Sequence, residues 1–151
     1  MVLLALLLSG CGGGDASSAS HRVVRSDAAP EVIVRDTQAR HYRVEVRFDP
    51  QVPKPGELFS VHAKVSTRDG APLESGTVKM NAGMPQHYHG METEPADWPG
   101  ECDDDGACTF PGGAYRSDGF KFHMPGEWTV SIEVQGFRGF DSTSFVYDLR
   151  P

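Results

Sequence analysis

The sequence predicts an all-β domain, an immunoglobulin-like sandwich of antiparallel sheets. Apolar and polar residues alternate at period two in successive segments, and turn signals separate those segments at roughly 8–12 residues. No window of the domain repeats apolar residues at helical spacing. Seventeen Gly and eleven Pro suit many short strands joined by turns and do not suit a helical protein of this size.

The elements follow in order. Tyr42, Val44, Val46 and Phe48 share one face and Arg43, Glu45 and Arg47 the other, which predicts a half-buried strand over His41–Asp49. Phe59, Val61, Ala63 and Val65 form a second inward set before Asp69-Gly70 breaks the run. Val78, Met80 and Ala82 form a third, and Phe120 and Phe122 a fourth ahead of Pro125-Gly126. Trp128, Val130, Ile132 and Val134 mark the clearest strand, and Phe145, Tyr147 and Leu149 a sixth. Between Met84 and Tyr115 the pattern lapses over a span longer than most structureless connections, so function is sought there.

The first eight residues are apolar and run into Ser9-Gly10-Cys11, which reads as an export segment, residues 1–11, far too short to span a bilayer. Leu8-Ser9-Gly10-Cys11 resembles the lipobox of bacterial lipoproteins, which implies lipidation at Cys11. No basic residues precede the apolar run, so the start codon is expected upstream. Gly12 after the cysteine resembles the outer-membrane pattern of enterobacterial sorting. Residues 12–40, Gly- and Ser-rich at first, read as a flexible tether, and 41–151 as the domain. The expected address is the cell envelope, lipid-anchored and facing the periplasm. Cys102 and Cys108 remain to pair as a disulfide in an oxidising compartment. A net charge of -7 without basic patches argues against nucleic acid.

Apart from Met1, every Met lies in Met80–Met91 or at Met124. Met84, His87, His89 and Met91, with His123-Met124, offer thioether and imidazole donors, a pairing that suits copper and above all copper(I). If His87-Tyr88-His89 is extended, its two rings project to one side. Met80 falls on the inward face and is assigned to the core. His21, His41 and His62 are expected to be solvated. Without metal, His87 and His89 would be loop-ordering histidines. Seven acids between Glu92 and Asp105, with no Lys or Arg among them, equal the net charge in number and predict a local negative field.

Gly76-Thr-Val-Lys-Met80, Met84-Pro-Gln-His87-Tyr-His89-Gly90 and Phe122-His-Met124-Pro-Gly126-Glu-Trp128-Thr-Val130 together resemble the YtkA-like domain family, and are similar to FixH-type proteins, across roughly Tyr42 to Leu149. The resemblance implies an immunoglobulin-like sandwich outside a membrane, associated in many members with copper handling or oxidase maturation. Met84, His87, His89 and Met124 are the matched positions with donor chemistry. Signatures of nucleophilic, glycosidic and phosphate-loop catalysis are missing, so no enzyme is expected. Two functions are carried forward. One is an envelope lipoprotein that binds or hands over copper to a copper-handling or oxidase-assembly partner. The other is a metal-free module presenting the acidic disulfide loop to an envelope partner.

Overall fold

The computed structural model describes residues 23–151. The leader, Cys11, His21 and the first part of the expected tether lie outside the described residues. Among the described residues twelve strands follow in chain order: β1 Val24–Arg25, β2 Ile33–Asp36, β3 Tyr42–Asp49, β4 Leu58–Thr67, β5 Thr77–Met84 and β6 His89–Gly90. Then come β7 Ala96–Asp97, β8 Glu101–Cys102, β9 Cys108–Thr109, β10 Ala114–Lys121, β11 Gly126–Gly136 and β12 Gly139–Leu149. They build two five-stranded sheets, ordered β1-β12-β11-β5-β6 and β2-β3-β4-β10-β7, and a small β8-β9 hairpin. Pairing is antiparallel except where β1 runs parallel to β12. This is the predicted all-β, immunoglobulin-like sandwich.

Alternation is what closes it. The inward sets of β3, β4, β5 and β11 named from the sequence are all buried, and with Phe145, Tyr147 and Leu149 they form one core. At one end that core is aromatic: Phe48 meets Phe59 and Tyr147 edge-on, and Phe122 stacks on Trp128 at 4.8 Å. At the other end Tyr42 reaches across the layers. Its hydroxyl donates to the Gly139 carbonyl at 3.1 Å and accepts from the Arg138 N–H at 2.9 Å.

Three expectations are corrected. Residues 12–40 are not tether throughout, because β1 pairs with Tyr147 and Asp148, and β2 extends the second sheet beside β3. Both elements are too short, and interrupted by Pro30, to show a period in the sequence. The fourth strand starts earlier than its Phe pair suggests, at Ala114. Its inward Ser117 is fully buried and donates to Asp97 Oδ1 at 2.9 Å, so a polar residue occupies a core-facing position. The Met84–Tyr115 connection, finally, is not structureless. It carries β6 to β9, and Trp98 and Phe110 fold back so that Phe110 stacks on Tyr115 at 4.1 Å.

Candidate functional site

The site is built by a tight turn and a strand end. Gly83 and Met84 pair with Gly90 and His89, so residues 85–88 form the loop of a small hairpin. Pro85 opens one turn of 3-10 helix through His87, and Tyr88 closes it in the left-handed region at φ 56°, donating its N–H to the Pro85 carbonyl. The His87-Tyr88-His89 segment is therefore not extended as expected. The left-handed Tyr88 brings the two rings together by another route, stacked with centroids 5.8 Å apart and planes 27° apart. Tyr88 itself stands in solvent, 97% exposed. A non-glycine residue held in that conformation is strained, and the turn is tied down from outside by Gln86, which donates to Glu127 Oε2 at 3.0 Å.

The second segment arrives from the end of β10. Burial of Phe122 in the aromatic core sets the chain so that His123 emerges at the rim, its ring 4.9 Å from that of His89. Three imidazoles thus stand in a row with His89 in the middle. Trp128 lies against two of them, edge-on to His123 at 5.2 Å and to His89 at 6.1 Å. The indole is fixed because its N–H donates to the Met124 carbonyl at 3.0 Å. His89 Nδ1 lies 3.1 Å from the Gly90 carbonyl. His123 Nδ1 is buried and has no hydrogen-bond partner, an unusual state for a ring nitrogen.

The methionines divide. Met84 is 1% exposed, and a Cβ on Gly126 would come within 2.8 Å of its Cε, so its thioether end packs in the core beside Gly126. Its inward position follows from the alternation of β5, and Met80 is buried in the same strand, as assigned. Met91 and Met124 are half-buried and pack against the edge of the core. Among the described residues, no three His, Cys, Asp or Glu side chains converge as a ready-made metal site.

The acidic stretch also changes meaning. Lys121 pairs with Glu92 at 3.1 Å and Lys79 with Asp97 at 2.6 Å, so cations from β10 and β5 meet two of the seven acids. Hydrogen bonding to Lys121 and then its charge hold the exposed Glu92 carboxyl below the ordinary range, with smaller help from His123 and His89. Sequence reasoning missed Lys121, Glu92 and the Trp128 platform as neighbours of the histidines, since strand pairing and not spacing brings them there. Cys102 and Cys108 form the predicted disulfide. Asp103 Oδ1 accepts the Asp105 and Ala107 N–H groups and shapes the turn inside it. His62 lies beside Trp98, and His41 Nδ1 stands 4.0 Å from Asp141 Oδ2, so His41 is not simply solvated.

The model of the YtkA-like family matches residues 36–133, about two thirds of the chain, and spans every strand from β3 to β10 with most of β11. The chain belongs to the YtkA-like family. No curated protein matches it. The match covers the whole His87–Trp128 arrangement of this YtkA-like domain, including the turn, the His123 segment and the indole.

Proposed function

We propose that this YtkA-like domain is the folded part of an envelope lipoprotein, acylated at Cys11 and facing the periplasm from the outer membrane, that binds or hands over copper as cargo. The observation that carries the reading is the row of three imidazoles from segments more than thirty residues apart, with half-buried Met91 two residues after His89 and half-buried Met124 next to His123 in the chain. Nothing in folding a sandwich calls for that grouping, and His123 Nδ1, buried without a hydrogen-bond partner, is a polar atom that the fold leaves unsatisfied. Imidazole with thioether is a donor set that suits copper(I). His87, His89 and His123 are the proposed ligands, with Met91 or Met124 adding sulfur. Met84 is given a packing role, because its burial takes it out of reach.

Copper(I) titration against a competing chelator tests this. The His87→Ala/His89→Ala double variant and His123→Ala should each weaken binding by more than about tenfold, roughly 1.4 kcal/mol. Unchanged affinity in the double variant refutes the site.

A second reading is favoured by the lack of a converged donor triad among the described residues. The domain is then a metal-free module that presents the disulfide loop to an envelope partner. Metal analysis of the purified protein separates the two readings, and detergent pull-downs with the intact and the loop-deleted chain identify the partner.

A further inference from the structure

The end of the sandwich opposite the histidines carries a different surface. β11 runs from Gly126, beside the histidines, to Gly136, and turns through Phe137-Arg138 into β12. From Trp128 to Gly136 the strand covers about 27 Å. Phe137 and Phe140 are 68% and 58% exposed on this hairpin, although a hairpin tip has no folding need for two large apolar rings. The Tyr42 hydroxyl holds the tip rigid through Arg138 and Gly139. Arg138 lies over the Phe137 ring at 5.8 Å and 3.6 Å from Asp69, and Arg40, in the adjoining turn, has no carboxylate partner among the described residues.

We propose that this hairpin docks the domain on a phospholipid bilayer, with Phe137 and Phe140 in the interface and Arg138 and Arg40 at the headgroups. The path of the chain supports a bilayer as the occupant. Val24 pairs in parallel with Tyr147, so the chain enters β1 travelling from the Gly139 end of β12 toward Leu149. Tyr147 stands eight residues along the strand from Gly139, about 27 Å. Eleven residues lie between Cys11 and Val23, twelve Cα steps with a reach of at most about 40 Å, so Cys11 can lie level with the hairpin. The disulfide loop joins the sandwich beside β10 and just ahead of β5, where the Trp98 and Phe110 N–H groups donate to the Arg116 and Glu74 carbonyls, and in the sheet order β5 stands two strands from β12. Exposed rings with flanking arginines are the composition that settles at a lipid interface. Docked this way, the histidines face away from the membrane.

The inference rests on the export reading for the membrane it meets, and the two fail separately. Mass spectrometry of Cys11 from host membranes tests the anchor. The hairpin is tested on the full chain carrying Cys11→Ser, which cannot be acylated, with vesicles of phosphatidylethanolamine and phosphatidylglycerol. A polarity-sensitive fluorophore is placed at Gln135→Cys, paired with Phe140, and in a second protein at Gln86→Cys in the histidine turn. Vesicles should blue-shift the label at 135 and leave the label at 86 unchanged. Phe137→Ser/Phe140→Ser should lower partitioning of the 135-labelled protein at least about tenfold without moving its thermal midpoint. No shift at 135, equal shifts at both positions, or unchanged partitioning in the double variant overturns the proposal.

Discussion

Replacing Tyr42 by Phe isolates one hydroxyl that joins the two sheets at the hairpin end. The ring, fully buried, remains and keeps its packing, so the change removes two hydrogen bonds and little else. Each net hydrogen bond contributes about 0.5–1.5 kcal/mol, and the Arg138 N–H and Gly139 carbonyl are only partly able to turn to water. The expected cost is about 1–3 kcal/mol. For a domain of this size each kcal/mol lowers the midpoint by about 3–4 °C, so calorimetry should find Tyr42→Phe melting about 3–12 °C below the parent. The hairpin should also loosen, with faster amide exchange at Arg138 than in the parent and no change at Trp128. A midpoint within 1 °C of the parent, or unchanged exchange at Arg138, refutes the idea that this hydroxyl pins the tip.

Other substitutions test different links. Gly113 has φ +72°, and a Cβ there would lie 2.2 Å from the Val65 carbonyl oxygen, which already accepts the Leu73 N–H. Gly113→Ala should cost at least about 3 kcal/mol in urea unfolding, and a loss under about 1 kcal/mol would contradict the close approach. At Asp141, burial pushes the pKa up, but hydrogen bonds from Thr37 and from the Ala39, His41 and Ser142 N–H groups outweigh it, and the folded value lies below 3.8. A depressed folded pKa contributes stability that is complete above the unfolded value and lost as pH falls through the folded one. Melting between pH 5 and pH 2 should therefore fall less steeply in Asp141→Asn than in the parent, and parallel curves would remove Asp141 from the account. Reducing the six-residue Cys102–Cys108 link should cost no more than about 2 kcal/mol, because it closes a small loop at the periphery. Complete unfolding by reductant alone would show that the loop holds the sandwich together.

Much of the fold was legible because burial in a sandwich is decided residue by residue on a two-residue period. Tyr42–Phe48, Phe59–Val65 and Trp128–Val134 carry that period without interruption, and every inward residue in them is buried. The period fails where a polar side chain is satisfied inside, as at Ser117 against Asp97, and where a strand is two or four residues long, as in β1 and β2. The same logic explains the methionines. Met80 and Met84 sit four apart on one face of β5, so the alternation that buried the first also buried the second, and its place in a donor-rich motif could not override that.

The sequence by itself determined the all-β class, the paired Cys102 and Cys108, and the family to which the domain belongs, since all three rest on local pattern and residue type. It also marked His87, His89 and His123 as worth attention. Only the tertiary structure decided that those three rings stand in one row with His89 and His123 against Trp128, that a left-handed Tyr88 makes the turn, and that Phe137 and Phe140 occupy the far end. Such facts depend on which strands pair and in what register. Register is fixed by burial summed over the whole core, a quantity that no single segment carries.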